Sequence, residues 1–174
     1  MADDDPVRGV YEQSYGRLVA HFTALSGSRS QAESVVQQAF LVAVTHRGDF
    51  AEATDREAWL RAVALSRLRR VRLRAHLTGN GRPAFRLEPS IDLGPGVPEE
   101  HTAVVYALSR LCLPVRVAVV LRHLDGLDIA QIARELSVSE GTVRARLARA
   151  HTEMAAHLND FEEAARVRPD GSGP

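Results

Sequence analysis

Residues 127–158 read LDIAQIARELSVSEGTVRARLARAHTEMAAHL, and this stretch decides the fold of the second half of the chain. Asp128 stands where it can cap a short helix whose inward positions are Ile129, Ile132, Ala133 and Leu136. Three residues further on, Ser139 can cap a second, longer helix with an inward stripe of Val143, Leu147, Ala150 and Met154. A short helix, a tight turn and a longer helix with basic residues are the make-up of a DNA-binding helix-turn-helix.

Projected at about 100° per residue, the longer helix turns Gly141, Ala145 and Ala148 away from its apolar stripe. Arg144 flanks that small-residue face on one side; Arg146 and Arg149 flank it on the other. Small residues at the tip let a backbone approach a major groove closely, and flanking guanidinium groups reach phosphates or guanine edges. Glu140 in the first turn suits the helix dipole and can accept from a cytosine amino group. Ser139, Glu140, Gly141, Thr142, Arg144, Ala145, Arg146 and Arg149 are therefore the expected DNA-contacting set. The competing reading is a plain helical hairpin whose arginines are solvated.

Upstream of this unit the texture changes twice. Helical patterning covers Glu99–Leu111 and resumes after Pro114, whereas LTGNGRPAFRLEPSIDLGPGVP, residues 77–98, carries four prolines and four glycines and reads as a flexible linker. Before the linker, Val7, Tyr11, Leu18, Phe22 and Leu25 recur at helical steps between Pro6 and Gly27. A second helix is expected from the capping-box spacing of Ser30 and Glu33, running through Val35, Val36, Ala39, Phe40 and Ala43 to a stop near Gly48. A third is expected from Thr54 and Glu57 at the same spacing. No segment alternates with the period of a strand. The expected fold is all-α: two small helical domains, 1–76 and 99–160, joined by a linker over 77–98, with a disordered tail over 161–174.

The third helix carries AWLRAVALSRLRRVRLRAH, residues 58–76, with six arginines and no acid. The whole chain is formally neutral, yet residues 1–57 sum to −4, residues 58–97 to +6 and residues 98–174 to −2. Charge segregated in this way suggests separate surfaces for separate partners. The apolar stripe is Leu60, Ala64, Leu68, Val71 and Ala75, flanked by Arg61, Arg69 and Arg72 on one side and Arg67, Arg70 and Arg74 on the other. Basic flanks suit a helix that tracks a phosphate backbone; a solvated charged face is the alternative. Trp59 reads first as a core anchor and second as a base-stacking platform.

Other classes find no support. No apolar run approaches the roughly 20 residues of a membrane span, and the acidic start MADDD does not resemble a signal peptide. The single cysteine, Cys112, rules out an internal disulfide framework, fits a reducing cytoplasm and reads as a small core residue. The seven histidines show no metal-ligand spacing, and no phosphate-binding glycine loop appears, so neither catalysis, metal, cofactor nor small-molecule substrate is expected.

The stretch LPVRVAVVLRHLDGLDIAQIARELSVSEGTVRARLARA, residues 113–150, resembles region 4, the promoter-reading domain of bacterial extracytoplasmic-function (ECF) sigma factors. The matches are Leu113, Pro114, Arg122, Gly126, Leu127, Ile132, Ala133, Leu136, Ser139, Gly141, Thr142, Val143, Arg146, Leu147 and Arg149. YEQSYGRLVAHF, QAESVVQQAFLVAV and AWLRAVALSRLRR resemble, in order, the opening, polymerase-docking and promoter-melting helices of region 2 in the same family. The two resemblances together cover about residues 7–76 and 99–158.

The resemblance implies core RNA polymerase and promoter DNA as partners, an anti-sigma factor as a further one, and a cytoplasmic location. It implies minus-35 binding by the helix-turn-helix set above. It implies minus-ten contacts from Trp59, Arg61, Ser66, Arg67, Arg69, Arg70, Arg72 and Arg74, and polymerase docking through Glu33, Val36, Gln37 and Phe40; Val36 and Phe40 also read as core. The chain departs from the family in places. Gln31, Ser34 and Gln38 stand at usually acidic positions of the docking helix; Ser66 and Arg70 stand for the common Asn and Asp of the melting helix. Ser137 replaces the glycine of the helix-turn-helix turn, where an αL conformation strains a serine modestly. Two rivals remain: a helix-turn-helix regulator of duplex DNA without sigma activity, and a sigma-like decoy that binds proteins without opening DNA.

Overall fold

A computed structural model of the chain describes residues 6–78 and 98–167, with side chains described over 6–71, 98 and 100–163. The described residues form eight helices and no strand. The chain divides into two compact units, with the boundary between Asp92 and Leu93.

The first unit contains α1 (Pro6–Ser26), α2 (Arg29–Thr45), α3 (Arg47–Glu52) and α4 (Arg56–Thr78). Gly27 adopts φ +77, a left-handed conformation that closes α1 without a Cβ penalty. The N-cap of α2 is Ser28, whose side chain accepts from Gln31 N, not Ser30 as the spacing suggested. The turn is two residues long, so the helix starts a half-turn early and Glu33 pairs instead with Arg29 at 2.9 Å.

The stop of α2 expected near Gly48 comes at His46, its C-cap. After a break at His46 the chain makes the short α3, which contains Gly48 and buries Phe50 completely. Six residues are too few to show a helical period, which is why this element does not stand out in the sequence. Next, α4 is capped by Asp55 and not Thr54: its Oδ1 accepts from Ala58 N at 2.8 Å. Most of the set read from the periodicity is core, with Val7, Leu18, Phe22 and Leu25 of α1, Val35, Val36, Ala39, Phe40 and Ala43 of α2, and Leu60, Ala64 and Leu68 of α4 all buried, whereas Tyr11 of the α1 stripe is 43% exposed.

The second unit contains α5 (Glu99–Arg110), α6 (Leu113–His123), α7 (Ile129–Leu136) and α8 (Glu140–Val167). Its core joins Ala107, Leu108 and Leu111 to Val117, Val120 and Leu121, to Ile132 and Ala133, and to Val143 and Ala150. Arg116 is buried beneath the α5–α6 junction, where its guanidinium donates to the carbonyls of Ser109 and Leu111. It thereby satisfies acceptors that the end of α5 leaves open. Cys112 is half-buried at the N-cap of α6.

Residues 161–167, expected to belong to the tail, are helical, and residues 168–174 lie outside the described residues. The last helix runs on to Val167, and the Phe161 ring lies 5.3 Å from that of Tyr106, an aromatic contact that extends the folded unit. Of the linker expected over 77–98, Leu77 and Thr78 belong to α4 and Pro98 is the N-cap of α5; the remainder lies outside the described residues.

Candidate nucleic-acid and protein interfaces

In the second unit, the cap of α7 is reciprocal. Asp128 Oδ1 accepts from Gln131 N at 2.7 Å, and Gln131 Oε1 accepts from Asp128 N at 2.8 Å. The turn before it is held by Gly126 at φ +69 and by Arg122, which donates to the Leu127 carbonyl at 3.1 Å. At the C-terminus of α7, Ser137 adopts φ 54 and ψ 47 while Val138 N donates back to the Ala133 carbonyl at 3.0 Å. This closure reverses the chain within three residues and launches α8 from Ser139, whose Oγ accepts from Thr142 N at 3.1 Å.

With Val143 and Ala150 buried and Leu147 half-buried, α8 turns Gly141, Ala145 and Ala148 to solvent. The surface beside this small-residue strip is basic but partly neutralised. Arg144 pairs with Glu140 at 2.8 Å and Arg149 with Glu153 at 2.6 Å. The hydrogen bond that Arg149 donates to Glu153, with the charge of that carboxylate, pushes the Arg149 guanidinium above its ordinary value. Arg146 is half-buried and has no acidic partner among the described residues. The eight residues expected here fall on the cap and first turns of α8, with Ser139, Glu140, Gly141, Arg144, Ala145 and Arg149 exposed and Thr142 and Arg146 half-buried.

The arginine-rich α4 divides differently from the expectation. Arg61 is 7% exposed at its side chain and faces inward, 3.5 Å from Glu57 and 3.9 Å from Asp55. It belongs to a network in which Glu57 also accepts from Ser14 at 2.9 Å and pairs with Arg17, joining α4 to α1. Trp59 is half-buried and packs edge-on against the buried Phe50 at 5.4 Å. Ser66, Arg69 and Arg70 are exposed, and neither arginine has an acid within ion-pair distance among the described residues. Arg67 is half-buried and turned toward α2. Val71, placed in the apolar stripe by periodicity, is 42% exposed. The side chains of Arg72 and Arg74 lie outside the described residues.

The outer face of α2 also differs. Val36 and Phe40 are buried, Phe40 lying 5.0 Å from the Tyr11 ring, so both are core. Gln37 remains exposed and Glu33 half-exposed. Beside Gln37 stand Leu41 at 65% and Val44 at 44% exposure, two apolar side chains that sequence reading missed. Their signal was present: both fall out of phase with the stripe of Val35, Val36, Ala39, Phe40 and Ala43.

Two helical units, one with a helix-turn-helix and one with Arg69 and Arg70 exposed on α4 and Leu41 and Val44 exposed on α2, have the make-up of a DNA-binding protein. The family described as "Sigma-70, region 4" matches residues 101–154. The chain is 35% identical over 147 residues to the ECF RNA polymerase sigma factor SigM of Mycobacterium tuberculosis, a match covering 82% of this chain and 72% of that one. It is 30% identical over 148 residues to SigL of the same organism, covering 81% and 82%. The chain belongs to the ECF RNA polymerase sigma factors. Among solved structures, the fold is shared with the sigma factor RpoE from Bartonella quintana, determined in complex with the anti-sigma factor NepR. The TM-score is 0.72 at 20% identity, over 87% of this chain and 96% of that chain.

Proposed function

We propose a division of labour between the two units of this sigma factor. The helix-turn-helix unit, 99–160, reads the upstream promoter duplex through α8. The first unit, 1–76, docks on core RNA polymerase through the exposed face of α2 and holds the separated minus-ten strand along α4. The observation that carries the reading is the exposed Gly141–Ala145–Ala148 strip flanked by Arg144, Arg146 and Arg149. A helix with that face can seat closely in a major groove while its flanks reach phosphates and base edges. On α4, Arg69 and Arg70 supply unpaired charge to a backbone without sequence preference.

Action by binding, and not by catalysis of its own, follows from this reading. Among the described residues no cluster of His, Cys, Asp or Glu is arranged to hold a metal ion, and no helix is long and apolar enough to cross a membrane. The reading places the protein in the cytoplasm, where core polymerase and promoters are. An anti-sigma factor is proposed as a further partner, since the structurally similar RpoE is bound to one.

The test is run-off transcription with purified core polymerase, with and without this protein, on sheared DNA from the source genome. Discrete new start sites sharing two spaced elements support the proposal. Polymerase binding without new starts favours a decoy. Binding of duplex DNA without polymerase binding favours a conventional regulator, which recognises its site alone.

A further inference from the structure

A shallow groove of about 460 Å³ runs between α2 and α4 in the first unit, lined by Gln38, Leu41, Val42, Thr45, His46 and Arg67. Four of these residues belong to α2 and His46 is its C-cap, so Arg67 is the single contribution of the arginine-rich helix. We infer that Arg67 serves a protein and not DNA: with Leu41 and Gln38 it seats an acid-bearing, partly apolar segment of core RNA polymerase. This rests on the polymerase docking proposed above and names the chemistry of its occupant.

Three observations lead there. First, the charge in the groove is single-signed and unanswered. None of the lining residues is acidic, Arg67 has no ion pair among the described residues, and the exposed residues of α2 from Ser34 to Thr45 (Ser34, Gln37, Gln38, Leu41, Val44 and Thr45) are uncharged, the charges of Arg29 and Glu33 being confined to its start and paired with each other. A carboxylate brought to Arg67 meets complementary charge with no competing acid.

Second, the surroundings amplify that pairing. Arg67 is half-buried beside Leu41 and Val42, so part of its hydration shell is already replaced by apolar surface, where an ion pair is worth more than at the exposed Arg69 and Arg70. Leu41, 65% exposed, offers an apolar contact next to the charge. The polar groups around it are partly spent: Thr45 Oγ1 donates to the Leu41 carbonyl at 2.8 Å and His46 Nδ1 lies 3.2 Å from the Val42 carbonyl. Gln38 has no hydrogen-bond partner among the described residues and remains able to donate to a carboxylate.

Third, the direction is wrong for sharing a strand with Arg69. Two residues along a helix are turned by about 160° the shorter way round, so Arg67 leans on α2 while Arg69 points to the opposite side.

The experiment measures the affinity of the full chain for core polymerase in the absence of DNA, across a salt series. Arg67→Met keeps the alkyl stem and removes the charge, Arg67→Glu reverses it and Arg67→Lys restores it. Arg8→Ala removes one exposed charge from the same unit as a control. Helicity by circular dichroism monitors folding of each. Arg67→Met is expected to weaken core binding about tenfold at low salt and less at high salt, Arg67→Glu more, with Arg67→Lys recovering part and Arg8→Ala unchanged. Wild-type core affinity in Arg67→Met overturns the inference while leaving the proposed function standing. If that variant instead binds promoter DNA poorly when saturated with polymerase, Arg67 belongs to the DNA-contacting set. Failure of the wild-type chain to bind core polymerase overturns both.

Discussion

Arg144 and Glu140 are joined across one turn of α8, Nη2 to Oε2 at 2.8 Å, on the helix end that the small-residue strip exposes. Both side chains are about half exposed, so the pair adds only about 0.3–0.5 kcal/mol to the helix. Its larger consequence is for the proposed promoter contact: there the arginine would arrive tethered, with an acid beside the phosphates it approaches. Glu140→Gln is expected to leave the thermal midpoint nearly unchanged. It should raise affinity for unrelated duplex and steepen the salt slope by about one, narrowing the discrimination between promoters. Arg144→Ala should relax sequence choice at the upstream element instead. Anisotropy titrations of the polymerase-bound protein on cognate and scrambled duplexes check both.

Arg69 and Arg70 are exposed and unpaired by any described acid, which separates them from Arg61 on the same helix. If α4 holds the separated strand as proposed, changing both to Ala removes two backbone contacts. Each contact to a single strand contributes about −0.7 to the slope of log affinity against log salt. Open-complex formation at low salt is expected to weaken and its salt slope to flatten by about 1.4. Permanganate footprinting of the melted region over a salt series reads this directly. An unchanged slope removes α4 from the strand-binding surface.

The network around Glu57 has the opposite character. Its carboxylate is 21% exposed and holds Ser14, Arg17 and the nearly buried Arg61. Glu57→Ala removes hydrogen bonds to charged groups worth about 1.5–3 kcal/mol. The first unit is expected to lose stability by that order in urea unfolding, with Arg61→Met less damaging than Glu57→Ala because it leaves no unpaired cation inside.

Legibility followed length and phase. The long stripes of α1, α2 and α4 and the caps at Asp128 and Ser139 were readable because each repeats a pattern over several turns or pairs a cap with an inward stripe. The expected left-handed turn at Ser137 is present as well. What escaped was local or relational. Ser28 outcompetes Ser30 as a cap because Gly27 turns the chain just before it, a choice the spacing of Ser30 and Glu33 hides. Short α3 has too few residues for a period. Wheels place Arg61 at the edge of a basic flank, but only the tertiary position of Glu57 and Asp55 reveals that it turns inward. Of the docking residues implied by the family resemblance, Val36 and Phe40 are buried, while Leu41 and Val44 beside them are the exposed apolar residues of α2, a difference of phase that only the packing of α1 and α4 reveals.

Ser137 is the one non-glycine residue with positive φ among the described residues. The left-handed conformation costs an L-residue about 1–2 kcal/mol, part of which glycine gives back through its freer unfolded chain. Ser137→Gly is expected to stabilise the second unit by about 0.5–1 kcal/mol, raising its thermal midpoint by about 2–8 °C. A β-branched residue there should do the reverse. Scanning calorimetry resolves the sign.

Gly141 separates the demands of folding from those of binding. A methyl group built at this position meets only Ser139 Oγ, at 3.8 Å, an ordinary contact. Nothing in the fold therefore asks for glycine, and its place inside the first turn of α8 makes it mildly unfavourable. Gly141→Ala should stabilise the helix by about 0.5–1 kcal/mol. If α8 enters the major groove by this end, the same methyl lies between the helix and the bases, and larger side chains lie there more fully. Upstream-element affinity is then expected to fall progressively from Gly141 through Ala to Leu while the thermal midpoint does not fall from Gly to Ala. Binding to core polymerase without DNA should stay level across the series. Affinity that does not respond to the size of residue 141 would mean that this end of α8 does not face the DNA. The arginines beside it would then be a solvated surface.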